Sequence, residues 1–314
     1  MKSTRRHQTC DNTKTIINRK RKKVEFDFGI EHETIGKWPS YVVPSETEVF
    51  MALQFCSFSS GSSGNSYLVR SARTAILIDA GISGKRIMEG IEYTGTAPED
   101  VKAIMVTHEH SDHVQSLRVL HKRLPKVNTY SNLSTWECIK DKVPEGRHIA
   151  FDSGDEFDIG DIHVKSFRTN HDAAESVCYS FLHGGSQISV LTDTGYVSED
   201  IYNEIKGADL LALEANHDPN VLQMCRYPYY VKRRILGDHG HLSNEAAAEC
   251  IARLQKEDEK RRFILLAHLS KENNSPELAM MTIRNCLQEE GVFPGDKLQL
   301  GVIVRDQISD IFEV

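Results

Sequence analysis

The chain has 314 residues, 39% hydrophobic and 26% charged, a composition of ordinary globular proteins with length for one large domain or two small ones. A formal net charge of −7 excludes a surface that attracts nucleic acid as a whole, so any basic groove has to be local. No run approaches the roughly 18 apolar residues of a spanning helix, and the basic N-terminus lacks the apolar core of a signal peptide, so no membrane partner is expected.

Residues 1–50 stand apart. Arg19-Lys20-Arg21-Lys22-Lys23 is a block of like charges, and Ser3 to Asn18 is mostly polar. Such a stretch buries too little apolar surface to order itself alone. It reads as a poorly ordered basic extension. Three origins fit it: a nucleic-acid-binding arm, a loose tail, or a translated upstream stretch with the natural start at Met51. The folded domain is expected over residues 51–314.

From Leu53 the pattern is that of strands. Leu53 to Phe58 alternates, Ser59 to Ser66 is a Ser/Gly turn, and Tyr67-Leu68-Val69 and Ala75 to Ile78 complete a β-meander ending in Asp79. Residues 83–95 read as a helix. Lys102 to Val106 is a short buried strand, and Val114 to Leu124 has apolar residues at near-helical spacing. Between them stands Thr107-His108-Glu109-His110-Ser111-Asp112-His113. A strand-to-helix turn is a common place for a site in a layered α/β protein. His108, His110, Asp112 and His113 form an HxHxDH pattern, and imidazole with carboxylate suits a divalent metal of the zinc or manganese kind. Asp79 is then either a plain helix N-cap or the acceptor for the free ring N–H of a metal-bound histidine, which fixes its tautomer.

Strand ends repeat this theme. Ile162 to Phe167 leads to His171, Ile188 to Leu191 delivers Asp193, and Phe263 to Ala267 delivers His268. With His108, four separate strands end in a potential ligand. Strand ends on one edge of a sheet lie near each other, so a shared centre is expected. The seven cysteines (Cys10, Cys56, Cys138, Cys178, Cys225, Cys250, Cys286) are odd in number and form no CxxC pair. They favour reduced thiols in a cytoplasmic protein over a disulfide framework or a thiolate zinc site.

The order His108-x-His110-x-Asp112-His113, His171, Asp193, His268, with Asp79 as its first motif, resembles the metallo-β-lactamase superfamily. One branch is closer. The Ser59–Ser66 turn, Asn170-His171-Asp172-Ala173, Glu214-Ala215-Asn216-His217-Asp218, His239-Gly240-His241-Leu242-Ser243-Asn244-Glu245 and Ala267-His268-Leu269-Ser270-Lys271-Glu272-Asn273-Asn274 are similar to the YycJ/WalJ exonucleases. The resemblance covers about residues 51–314 and implies an α/β protein (α+β in some schemes), a four-layer αββα sandwich. It implies two divalent ions, Zn or Mn. One would be held by His108, His110 and His171, the other by Asp112, His113 and His268, with Asp193 between them. Two cations ~3.5–4 Å apart share a bridging hydroxide as nucleophile and grip a phosphoryl oxygen, with Asp112 counted in the catalytic set. The implied activity is metal-dependent 5′-to-3′ hydrolysis of duplex DNA. The alternatives are hydrolysis of a small phosphodiester or (thio)ester, or of RNA. A non-catalytic protein with one closed structural metal fits the ligand set poorly.

On the substrate side, Ala208 to Ala215 is a strand carrying Glu214, and His241-Leu242-Ser243 opens a helix running to about Glu257. The pair resembles the tRNase Z arrangement, in which Glu214 would support His241 facing the scissile phosphate. Ser243 reads as an N-cap, compatible with a phosphate cradle at the helix start. His217 and His239 are either supporting groups or spectators. Arg226, Tyr227, Tyr229, Tyr230, Lys232, Arg233 and Arg234 interleave aromatics with cations, either a nucleic-acid groove or a solvated basic face. Lys271, Asn273 and Asn274 are candidates for contact with the substrate backbone.

Overall fold

The computed structural model describes residues 52–314; the basic stretch of residues 1–50 and the readings attached to it lie outside the described residues. Six strands come first: β1 (Gln54–Ser59), β2 (Ser66–Arg70), β3 (Ala75–Ile78), β4 (Val101–Met105), β5 (Asn128–Ser131) and β6 (His148–Ala150). Seven follow: β7 (Glu156–Ile159), β8 (Ile162–Arg168), β9 (Val177–His183), β10 (Ser186–Leu191), β11 (Leu210–Glu214), β12 (Arg262–Ala267) and β13 (Leu298–Val302), and β14 (Phe312–Glu313) ends the chain. They make two seven-stranded sheets, ordered β14-β1-β2-β3-β4-β5-β6 and β13-β12-β11-β10-β9-β8-β7.

Side-chain alternation along the strands explains the layers. Ile76 and Ile78 of β3 pack between the sheets with Phe55, Met105, Tyr179, Ile188 and Leu210. Leu77, one position away, faces outward to Ile87, Ile104, Leu117 and Leu120 under the helices of that side. On β11, Leu210 and Ala212 face inward, whereas Leu211 and Leu213 join Ile251, Leu254, Ile283 and Leu287 beneath the helices Asn244–Glu257 and Pro276–Glu289. A parallel strand covered on both faces reads as an unbroken apolar run, which Leu210-Leu211-Ala212-Leu213 is. Each fully buried Leu or Ile contributes roughly 1.5–3 kcal/mol. The result is the αββα sandwich.

Two expectations are corrected. The ligand-bearing strand ends do not belong to one sheet. β4, which leads to His108, lies in the first sheet, whereas β8, β10 and β12 lie in the second. They converge because the strands' C-terminal ends share one edge of the sandwich: β3 and β4 are parallel, β10, β11 and β12 are parallel, and β8 runs with β10 through two antiparallel pairings. The expected single helix from Val114 to Leu124 is two, Ser111–Val114 and Leu117–Arg123. The break follows from competition for backbone groups. Ala80 N–H donates to His113 O at 2.6 Å, and Ser116 N–H donates to Ala80 O at 2.9 Å. Those bonds tie the first turn to the end of β3 instead of continuing the helix. Close approach here requires Gly81, since a Cβ there would sit 1.6 Å from the Asp112 carbonyl oxygen.

Candidate metal centre

At the shared edge, His108, His110 and His171 bring ring nitrogens within 4.8 Å of one another, and Asp112, His113 and His268 form a second such group. His108 Nε2 and His110 Nδ1 are 3.0 Å apart, and the His108 and His171 rings meet edge-on at 5.1 Å. Asp193 lies between the groups. Its Oδ2 is 3.5 Å from His113 Nε2, and its Oδ1 is 3.8 Å from His171 Nε2 and 3.5 Å from His268 Nδ1. His108, His113, His171, Asp193 and His268 are buried; His110 and Asp112 are half-buried at the mouth.

The backbone is strained where it delivers these groups. Asp79, Asp193 and His268 have φ of 60°, 59° and 55°. Left-handed backbone at a non-glycine residue is uncommon and concentrates at functional sites. Each of the three follows directly or nearly so on a strand end, where the turn aims the side chain over the edge.

A set of partners orients the rings. Asp79 Oδ2 is 2.7 Å from His113 Nδ1, both side chains fully buried, and its carboxylate accepts from Thr107 N–H and Thr107 Oγ1–H at 2.9 Å each. Of the two readings of Asp79, the geometry is that of the carboxylate facing a histidine rather than a helix cap. His171 Nδ1 donates to Gly240 O at 3.1 Å, leaving Nε2 facing inward. Burial pushes the His108 pKa well down and that of His171 down, which favours neutral rings able to ligate. Burial opposes charge on His113 as well, but Asp79 and Asp193 outweigh it and push it up to about 10. Burial also opposes charge on Asp193, yet four imidazoles, led by His268 and His113, hold it well below the usual carboxylate range.

The donor set fits a divalent cation. Asp193 Oδ2 and His268 Nε2 are buried without a hydrogen-bond partner among the described residues. Leaving such atoms unpaired costs about 1–3 kcal/mol each, and a cation bound between the groups would satisfy both.

Glu214 ends β11 fully buried. Its Oε1 lies 2.8 Å from His241 Nδ1 and 2.9 Å from His268 Nδ1, and its Oε2 accepts from Thr194 N–H at 2.9 Å. Burial opposes its charge, but His241 and His268 bring it down to about 2. Burial opposes charge on His241 as well, but Glu214 and Asp193 outweigh it and push the imidazole up to about 9.

A model of the beta-lactamase superfamily domain matches residues 74–268. The chain is 40% identical over 253 residues to the exodeoxyribonuclease YycJ of Bacillus anthracis, covering 80% of this chain and 95% of the relative. It is 39% identical over 269 residues to the exodeoxyribonuclease WalJ of Streptococcus pneumoniae serotype 2, covering 84% and 99%. The chain belongs to the YycJ/WalJ branch of the metallo-β-lactamase superfamily. Among solved structures, the metallo-β-lactamase-fold protein YhfI from Bacillus subtilis superposes with a TM-score of 0.62 at 16% identity, over 84% of this chain and all of that one. The superfamily fold implies divalent-metal binding.

Within this YycJ/WalJ-type chain the remaining expected site residues fall in different places. Ser243 caps the Asn244–Glu257 helix, its Oγ accepting from Ala246 N–H at 3.1 Å. His217 is buried beside that helix start, both ring nitrogens lack a partner among the described residues, and burial pushes it down to about 4. His239 is exposed. Arg234 is held by Asp172 through two bonds, Nη2 to Oδ1 at 2.9 Å and Nε to Oδ2, which ties the basic helix Tyr229–Leu236 to the His171 loop. Lys232 Nζ donates to Gln223 O at 2.6 Å, and the Arg233 guanidinium lies 6.0 Å from the Tyr229 ring centroid. Asn273, expected against the substrate backbone, is corrected: it is completely buried and donates to Ser270 Oγ, because the loop after His268 bonds to the segment following β11, Ser270 N–H donating to Asn216 O and Asp218 N–H to Asn273 O. Asn274 is drawn into the same packing, its Nδ2 donating to Ala215 O at 2.9 Å and to Asn244 Oδ1 at 2.8 Å.

Sequence reasoning missed the working part of the Ser/Gly turn. Asn65 Nδ2 is 3.0 Å from His113 Nε2, and Ser60 Oγ accepts from His268 N–H at 2.7 Å. The density of Ser and Asn in so short a loop was the available signal, since a plain hairpin needs only one or two such residues.

Proposed function

We propose that this protein is a 5′-to-3′ exonuclease on duplex DNA with two divalent ions, held by His108, His110, His171 and by Asp112, His113, His268, with Asp193 shared. The observation that carries the reading is Asp193, within 4 Å of imidazoles from both groups. The printed names of the YycJ and WalJ relatives support the substrate class. The folded domain is read as residues 51–314, working in a cytoplasmic setting. Six unpaired cysteines among the described residues, and no described helix long and apolar enough to cross a membrane, support that setting.

Bound divalent metals lower the pKa of water towards about 7 and polarise a phosphoryl oxygen. The chain's own groups do the rest. Asp79 and the Gly240 carbonyl fix the ring orientation of His113 and His171, so that each presents Nε2 to the centre. Glu214 keeps the proton of His241 on Nδ1 and stabilises the doubly protonated ring, leaving Nε2–H for the departing sugar oxygen. An alkoxide leaves poorly, and proton donation at that atom lowers the barrier. Ser243 and the amide groups opening its helix favour a neighbouring phosphate. Lys232 and Arg233 offer a local positive face despite the net charge of −7.

The test is incubation of the full chain, loaded with Mn²⁺ or Zn²⁺, with end-labelled duplex DNA, single-stranded DNA, RNA and bis-p-nitrophenyl phosphate. Stepwise release of nucleotides from 5′ ends of the duplex is expected. Turnover of RNA alone, or of the small diester without any nucleic acid, would replace the reading.

A further inference from the structure

A second concavity lies beside the centre and takes no part in the chemistry above. It has a volume of about 350 Å³, within the range of small-molecule sites. Its walls come from two loops that also reach the metal-ligand cluster. One is the Ser/Gly turn, which supplies Ser63 and, two residues on, the Asn65 that touches His113. The other begins at Leu269, directly after His268. The walls of the cavity and the centre are therefore joined through the backbone of these two loops.

The lining divides into two kinds. Leu269, Pro276 and Val304 give an apolar face. Lys271 and Arg305 bring positive charge, and the one acidic side chain, Asp306, is already paired with Arg86 at 2.9 Å. Arg305 is held in place, its Nη2 donating to Leu269 O at 2.6 Å, while its buried Nε has no partner among the described residues. Lys271 is exposed, and no hydrogen bond or ion pair engages its ammonium among the described residues. An apolar wall beside two cations suits a group that is flat and apolar on one side and anionic on the other.

We infer that this pocket receives the terminal nucleotide of a strand, its sugar and base against Leu269, Pro276 and Val304 and its terminal phosphate against Lys271 and Arg305. The inference rests on the exonuclease reading for its biological sense. A pocket of this volume has room for one nucleotide and so gives a strand end somewhere to seat, which a continuous duplex lacks. It would set exonucleolytic over internal cleavage and place the first phosphodiester beyond the pocket at the centre.

Two measurements separate this inference from the parent reading. The first is calorimetric binding of a deoxynucleoside 5′-monophosphate, against the unphosphorylated deoxynucleoside, to the metal-loaded full chain and to Lys271→Ala. A charge-assisted hydrogen bond predicts about tenfold weaker binding of the monophosphate in the variant and no change for the nucleoside. The second is the KM for duplexes carrying a 5′-phosphate, a 3′-phosphate or neither. A preference for one phosphorylated end is expected, and it should vanish in Lys271→Ala, the KM for that duplex rising to the value for the unphosphorylated one. Arg305→Lys, which keeps the charge but loses the guanidinium bond to Leu269 O that holds it in place, should weaken the preference partway. Monophosphate binding equal in wild type and Lys271→Ala, or an end preference that survives the substitution, overturns the pocket even if DNA is degraded. Monophosphate binding that depends on Lys271 in a protein that cuts no DNA upholds the pocket and overturns the exonuclease reading.

Discussion

Glu214 Oε1 lies 2.8 Å from Nδ1 of His241. The same oxygen is 2.9 Å from Nδ1 of His268, so one buried carboxylate serves both a proposed proton donor and a proposed metal ligand. The proposed roles differ, proton donor for His241 and ligand for His268, so mutation can separate the two.

His241→Ala should keep its metal and lose activity on DNA by about 10²–10⁴-fold, the usual worth of acid catalysis. The loss should be far smaller on a nitrophenyl diester, whose leaving group needs no proton. Metal content by elemental analysis and kcat on both substrates decide it. Equal losses on the two, or loss of metal, would move His241 into binding or ligation.

Glu214→Ala should do more. It removes the acceptor of both rings, so metal affinity should fall by roughly 10–100-fold, as when the partner of a ligating histidine is lost. Activity on DNA and on the nitrophenyl diester should fall together. Competitive titration against a chelator reads the affinity; an unchanged value would confine Glu214 to His241.

Metal analysis of the Mn²⁺- or Zn²⁺-loaded chain should approach two equivalents, and Asp193→Ala should fall below that. The motivation is Asp193 Oδ2, buried and otherwise unpartnered between the two imidazole groups. A reproducible single equivalent with full turnover would rule the dinuclear arrangement out.

A chain beginning at Met51 should fold and retain turnover of bis-p-nitrophenyl phosphate, since every proposed ligand lies after that residue. The melting temperature and metal content of that shortened chain provide the check. Failure to bind metal would make the basic extension part of the domain. Duplex affinity is a separate matter, because the Arg19 to Lys23 block adds salt-sensitive contacts if it reaches DNA.

Replacing Lys232 and Arg233 together with Ala should weaken duplex binding and flatten its dependence on salt by about one to two units of slope. Arg234 is left out of this pair because it is bound to Asp172 and braces the His171 loop. A salt slope identical to wild type would locate the DNA face elsewhere.

The candidate ligands that the fold brings together were legible because metal ligation writes itself locally. HxHxDH compresses four candidate ligands into six positions, and His171, Asp193 and His268 each follow an apolar strand. The αββα class was likewise legible through the family resemblance, and the strand pattern agreed with it. What the sequence left open was pairing between distant residues. Asn65 meets His113 across 48 positions, Arg234 meets Asp172 across 62 and Ser60 meets the backbone of His268 across 208. No periodicity or spacing encodes such contacts. They depend on strand order, which brings β4 of one sheet to the same edge as β8, β10 and β12 of the other. The inward fold of Asn273 and the break between Val114 and Leu117 have the same origin. In both places the backbone found better hydrogen-bond partners across the fold than along the chain, and only the assembled tertiary structure could supply them.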